Sequence, residues 1–373
     1  MLDNLTVKET KFMKSRPAIF LARTLSIGFA LSLAIGPAQG ATCRAFELQS
    51  KPSWISSATW APDTSSIIVV DAFLGEIRSY SADGQLEGFP KIDLGSTRPL
   101  VGSIGKAGDG FLLRSLGDKF FKLSGSLKVV AVKDFSAINL NSPVGIGSIY
   151  QWSAGENRIL AFGSILKENG GYDLGFFSAS IENPASAKMI KPLDRGDYYT
   201  LGYPYTTSLR SDFYFLVMDK EIHLYQQEGG GEAKDLGPLP QQFRSAPDFK
   251  TKMTGPSSAI NRFKEVETLS IPAGLYAQNG NLYLLTRNLG PDRKTTQWRP
   301  HRLDPRSGRV KGVFALPTQA NHLTVVPALD SWYVFERGPI VGPNQRQAID
   351  KLLAIPASAV ESFENLKDCS VEN

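Results

Sequence analysis

Short apolar runs, each closed by turn residues, recur along this chain, and the clearest set lies between Ile55 and Gly84. The pattern predicts three strands there. Ile55–Trp60 is the first and ends at the Ala61-Pro62-Asp63 turn. Ser66–Asp71 is the second and carries the β-branched run Ile67-Ile68-Val69-Val70. After a turn over Ala72–Gly75, Glu76–Tyr80 is the third, closed by Ser81-Ala82-Asp83-Gly84. β-Branched and aromatic residues fit a pleated, half-buried surface, while Pro, Asp and Gly supply the turns that end it.

The first hairpin of this unit returns with turns near Asp63, Asp109, Gly155, Ser211, Asn279 and Asp330, spaced 46 to 68 residues apart. The second returns at Phe121-Lys122-Leu123, His223-Leu224-Tyr225 and His301-Arg302-Leu303, each run followed by a turn. A repeat of this length with about four strands per copy predicts an all-β fold and a β-propeller. Six hairpins imply a single six-bladed ring, or seven blades if one copy is too divergent to see. A β-sandwich accounts for the strands but not for the sixfold return of one unit. The polar stretch Gln241–Ser270, broken by Pro247 and Pro256, reads as a lid or binding segment, or as an outer strand with a surface loop.

The last unit holds Leu323–Pro327, Ser331–Arg337 and roughly Ile349–Ile355, and lacks a fourth strand. Ala45–Gln49, ahead of the first unit, is placed to supply it and close the ring. Ala357–Lys367 has helical character, within a tail over residues 357–373. The chain has two cysteines, Cys43 and Cys369, at the two ends of residues 41–373. In an exported protein such a pair reads as a disulfide, and ring closure would bring the two together.

Export is the reading of residues 1–40. Lys8, Lys11, Lys14, Arg16 and Arg23 precede the uncharged run Thr24–Ile35, and small residues Ala38 and Gly40 follow. That is the signal-peptide pattern. The apolar run is shorter than the roughly 20 residues of a spanning helix, so no stable transmembrane segment is expected after cleavage. Gly40-Ala41-Thr42 before Cys43 matches a lipoprotein anchor poorly. The expected location is periplasmic or extracellular. Residues 1–40 carry a net +3, so only +2 of the overall +5 belongs to the propeller region. The basic balance is largely a targeting feature and gives no reason to expect nucleic acid as a partner.

Trp60-Ala61-Pro62-Asp63, Ile68-Val69-Val70-Asp71, Gly75-Glu76-Ile77 and Tyr80-Ser81-Ala82-Asp83-Gly84 resemble a blade of the NHL-repeat and SMP-30/gluconolactonase-like six-bladed propellers. The resemblance implies the same fold. It also implies a divalent cation in the central channel whose first ligand is a Glu just ahead of the Trp-x-Pro-Asp turn. Here that approach is Ile55-Ser56-Ser57-Ala58-Thr59-Trp60, with no acid. No metal site and no cofactor is therefore expected. The histidines His223, His301 and His322 form no metal-spaced cluster. Nucleophile-elbow, phosphate-loop and dinucleotide fingerprints are absent in the context they require.

One pattern points to a ligand. Several second strands end on a charge after an apolar run: Asp71, Arg114, Arg287 and Glu336-Arg337. The loop after Arg287 adds Arg293, Lys294, Trp298 and Arg299. Guanidinium groups beside an exposed aromatic suit an anionic or sugar-like ligand; the charged strand ends also read as turn caps or interblade bonds, and the loop also reads as an ordinary solvated loop with one packed Trp. Two functions follow. One is a non-catalytic exported binding protein that presents one face to a small polar ligand, a glycan or a protein. The other is a gluconolactonase-like hydrolase with a rearranged channel site.

Overall fold

In a computed structural model, the structure describes residues 42–71, 73–94, 101–115, 117, 119–135, 146–166, 172–193, 205–218, 221–240, 243, 270–289, 296–320, 322–337, 349–363, 366 and 369–371. The signal peptide read over residues 1–40, Arg293 and nearly all of the Gln241–Ser270 connection lie outside these residues.

A short strand, β1 (Arg44–Glu47), precedes six repeating sheets. The first blade is β2 (Ile55–Ala61), β3 (Ser66–Asp71), β4 (Glu76–Ser81) and β5 (Leu86–Gly88). The second is β6 (Val101–Ala107), β7 (Gly110–Ser115), β8 (Lys119–Leu123) and β9 (Val129–Asp134). The third is β10 (Ile146–Ala154), β11 (Arg158–Leu166), β12 (Tyr172–Ser180) and β13 (Lys188–Leu193). The fourth is β14 (Thr206–Leu209), β15 (Asp212–Met218), β16 (Ile222–Gln227) and β17 (Ala233–Pro238). The fifth is β18 (Ile271–Gln278), β19 (Asn281–Leu289), β20 (Thr296–Leu303) and β21 (Val310–Val313). The sixth begins with β22 (His322–Pro327), β23 (Ser331–Arg337) and β24 (Ile349–Pro356). Strands pair with their chain neighbours throughout each blade. The innermost strands β2, β6, β10, β14, β18 and β22 each adjoin the next, and β22 adjoins β2. The fold is a six-bladed β-propeller.

The unbroken apolar run of β3 follows from burial on both faces. Ile67 and Val69 enter the gap shared with the sixth blade, whereas Ile68 and Val70 enter the gap shared with the second. Six buried apolar clusters fill the six gaps, and each mixes side chains of two successive blades. The outer strands show the opposite pattern: β9 alternates exposed and half-buried residues because its outer face meets water.

The N-terminal strand closes the ring. β1 pairs antiparallel with β24, from Arg44 opposite Ala354 to Glu47 opposite Lys351. It starts one residue earlier than the expected Ala45–Gln49. A further strand, β25 (Ser370–Val371), pairs parallel on its other side. Two residues are too few to leave a periodic signal, and β25 is absent from the sequence reading. Cys43 and Cys369 are bonded, with Cα atoms 4.5 Å apart across a sequence separation of 326. Beside the bond, Ser370 N donates to Cys43 O at 3.0 Å.

The tail forms α1 (Ala357–Ser362), shorter than the expected helical stretch; it ends at Phe363, whose φ is 58°. The Phe363 ring packs against Gly312 of β21, where any Cβ would overlap it. Arg302 Cζ sits 4.7 Å from the centroid of the same ring.

Two outcomes are expected. Cys43→Ser should lower stability by an amount up to about 4–5 kcal/mol, the high end for long loops, with an unchanged far-UV circular dichroism spectrum. Deleting residues 41–49 should move the denaturant midpoint further, because it bares the edge of β24 and removes the partner of β25. Equal midpoints for truncated and intact protein would refute closure by β1.

Candidate functional site

The free edges of the six innermost strands enclose a central channel of 1520 Å³, and all six blades contribute to its wall. Four of these strands share an irregularity near their start. The register slips by one residue between Ile55 and Ser57, Val101 and Ser103, Ile146 and Ser148, and Pro272 and Gly274. The inserted residues are Ser56, Gly102, Gly147 and Ala273, all small. A bulge bends its strand and re-aims the side chains beyond it. After the bulge, Ser57 Oγ accepts from Ile104 N of the second blade at 2.7 Å. One blade on, Ser103 Oγ accepts from Trp152 Nε1 of the third at 2.7 Å. Equivalent serines thus stitch successive blades around the wall.

The wall is polar and aromatic more than charged. Thr59, Gln151, Thr207 and Gln278 line it beside Trp60, Trp152, Tyr205 and Tyr276. The Trp152 indole lies against Gly105, whose added Cβ would sit 3.0 Å from the ring. Burial pushes the Tyr205 phenol up to about 12 and raises that of Tyr276 further, with Tyr205 adding to the effect. Both are neutral donors at physiological pH. Among the described residues, no three His, Cys, Asp or Glu side chains cluster in a way that could hold a metal ion. The described residues do not fit the divalent cation of gluconolactonase-like propellers.

The residues singled out from the sequence share one end of their blades, where first strands begin and second strands finish. Ile55 pairs with Asp71, Ser103 with Arg114 and Ile271 with Arg287. They do not converge. By strand alternation Asp71 turns toward the sixth blade, Arg114 toward the third and Arg287 toward the sixth. Asp71 is fully buried and accepts from Ser53 N at 2.7 Å, Phe73 N at 3.2 Å and Leu74 N at 3.3 Å. It holds a turn. Arg114 borders the channel. Arg287 lies outside that wall, and burial lowers the basicity of its guanidinium.

Of the two readings of Trp298, the packed one holds. It is 5% exposed, packs in the gap between the fifth and sixth blades and donates Nε1–H to Ala320 O at 2.6 Å. The polar residues around it gave no sign that it begins a buried stretch of β20. Arg299, next on the strand, faces away from Trp298, donates to Gln297 Oε1 at 2.7 Å and lines a 320 Å³ cleft with His301 and Lys311.

His301 is a core residue. Its Nε2 lies 3.0 Å from Thr286 Oγ1, and its ring packs edge-on against Phe243. Burial, with Arg299 nearby, pushes the imidazole down to about 4. His223 sits on the outer part of the fourth blade, 2.9 Å from Asp235 Oδ2.

No protein-family profile and no curated protein sequence matches the chain. Solved structures do. A member of the DUF4221 family from Bacteroides vulgatus aligns at a TM-score of 0.55 with 11% identity, over 84% of this chain and 95% of that one. A gluconolactonase from Xanthomonas campestris aligns at 0.48 with 10% identity, over 84% and 89%. A calcium-binding protein, regucalcin, from Agrobacterium tumefaciens aligns at 0.44 with 9% identity, over 88% and 97%. At 11% identity the first likeness is one of fold alone, and nothing about the chemistry of this chain follows from the other two.

The histidine geometry sets a pH dependence. An imidazole whose folded pKa lies below its unfolded value leaves the unfolded chain binding more protons in between. Stability should therefore be complete above about pH 6.5 and fall as pH drops toward about 4. The His301 share of the loss is about 3 kcal/mol. Denaturant midpoints at pH 5 and pH 7.5 should differ less in His301→Gln than in the parent, and equal differences would refute the assignment.

Proposed function

We infer that this chain is an exported, non-catalytic propeller that binds a polar ligand in its central channel, with Arg114 holding an anionic group of that ligand. The observation that carries the reading is the wall itself: hydroxyl, amide and phenol groups beside the Trp60 and Trp152 rings, with Arg114 at the end where first strands begin. Hydroxyls and aromatic faces together suit a sugar-like body, and a guanidinium suits a carboxylate or phosphate on it. A small polar ligand or the terminus of a glycan fits a channel of 1520 Å³. The sheets hold these groups with little ordering left to lose on binding. Export is supported by the basic, apolar and small-residue succession of residues 8–41 and by the Cys43–Cys369 bond.

Glucuronate and glucose, titrated calorimetrically, test the reading. Glucuronate should bind more tightly, its affinity should fall with added salt, and Arg114→Ala should erase the preference by weakening the acid about tenfold or more. An Arg114→Ala protein that retains the preference would overturn the role of Arg114. A stoichiometric divalent cation in the purified protein would instead favour a lactonase-like enzyme. On the proposed export, the mature protein should be recovered outside the cytoplasm with Ala41 at its N-terminus.

A further inference from the structure

Away from the channel, a cleft of 320 Å³ lies across the outer strands of the fifth blade. Arg299 and His301 are two residues apart on β20 and turn to the same side as Leu303, into the gap between the fourth and fifth blades. Both line the cleft. Lys311 enters from β21, where it is the extra residue at a register slip opposite Arg302 and Leu303. Phe243 and Ser270, two described residues of the polar stretch that joins these blades, line it as well.

The described residues of the wall include two cations and no carboxylate. Lys311 has a counter-charge beside the cleft, Asp304 Oδ2 at 3.1 Å. Arg299 has none. Among the described residues it forms no ion pair, and its Nη2 donates to a neutral acceptor, Gln297 Oε1, at 2.7 Å. A hydrogen-bond chain also ends here. Thr286 Oγ1 donates to Asn288 Oδ1 at 3.2 Å, and Asn288 Nδ2 donates to Ser270 Oγ at 2.8 Å. The Ser270 proton is thereby left for a further acceptor. The rest of the wall has apolar members. Phe243 packs edge-on with His301, their ring centroids 4.6 Å apart, while Val310 and Val313 come from β21, and Val313 is 47% exposed.

A guanidinium without a counter-charge and a hydroxyl with a proton to give both match an oxyanion. Inorganic phosphate would use these donors but leave the valines in water. An acid with an apolar body uses both halves of the wall. The volume is at the small end of ligand cavities, roughly 300–1,000 Å³. We propose that this cleft binds a small organic carboxylate, its head group on Arg299, Lys311 and the Ser270 O–H and its apolar body against Phe243, Val310 and Val313. The cleft shares no residue with the channel wall, so it stands apart from the channel reading.

The test titrates the disulfide-bonded protein with sodium hexanoate, sodium acetate and 1-hexanol, each at pH 7.5 and constant ionic strength with chloride as the balancing anion. Imidazole proton resonances are followed. The chain has three histidines, and His301→Gln assigns the one in the cleft. Burial keeps His301 neutral at that pH, so its shift reports the ligand and not a proton. The His301 resonance should move saturably with hexanoate. Its midpoint should lie at least about tenfold below that of acetate, because the longer chain buries further methylenes. 1-Hexanol, the same body without the charge, should bind about tenfold more weakly than hexanoate. Arg299→Gln should weaken hexanoate by about tenfold and leave 1-hexanol unchanged. His223, bonded to Asp235 on the outer part of the fourth blade, should not move.

No saturable movement of His301 with hexanoate would overturn the proposal. Equal midpoints for hexanoate and 1-hexanol, or for hexanoate and acetate, would do so too, as would a hexanoate midpoint unchanged in Arg299→Gln. Should that variant fail to fold, the comparison of hexanoate with 1-hexanol in the parent protein still decides. Arg114→Ala should leave these shifts intact, so failure here and failure of the channel reading are distinguishable.

Discussion

No blade of this propeller can stand alone, because both faces of every sheet are apolar. Ile67 to Val70 make the point in four residues: alternate side chains go to opposite gaps, and each is at most 1% exposed. A single sheet of this kind would leave one apolar face in water whichever way it turned. The remedy is a neighbour on each side, and a ring is the arrangement in which every blade has two. The ring is complete only when the sixth blade meets the first. That meeting depends on β1, drawn from the start of the domain, and on the cysteine pair that ties it to the tail.

Closure also makes the channel. Six innermost strands turn their unpaired edges to the axis, and the wall inherits whatever side chains those edges carry. Small residues at the bulges let the strands bend there, and serines just beyond them bond the next blade. The hydroxyl character of the wall therefore has two sources. Part of it joins the blades, and the remainder faces the channel. A ligand would meet groups already fixed by sheet pairing, which is the condition under which polar contacts add affinity at small ordering cost.

How much of this was legible in the sequence depends on range. The strands, the sixfold return of the unit and the placement of the cysteines are local or periodic signals, and they predicted the ring and its closure. The bulges were also written locally, as Ile-Ser-Ser, Val-Gly-Ser and Ile-Gly-Ser, but they become visible only when the register of two strands is known. Trp298 stays undecided in the sequence for a different reason. Its neighbours are polar, and nothing local distinguishes an indole exposed in a loop from one that begins a buried strand. The charged strand ends share an end of the blade, and in sequence that alone suggests one ring. Alternation sends them into different gaps, and parity relative to the bulge is a property of the pairing.

The repeat supplies a comparison within a single chain. Asp71, Ser115 and Thr286 occupy the same place in three blades, each opposite the residue just before a bulge. Asp71 and Ser115 accept backbone N–H groups of the turn that follows, and Thr286 bonds across to the next strand. An acid and two hydroxyls thus do related structural work, and the charge at Asp71 is explained without a ligand. Arg114 stands one residue before this place and Arg287 one residue after it. Leu285 and Val70 fill the position of Arg114 in their own blades, so the fold does not require a cation there. A charge that equivalent blades replace with an apolar side chain is one that sheet pairing does not call for. This is the physical ground for looking to Arg114, rather than to Asp71, for chemistry.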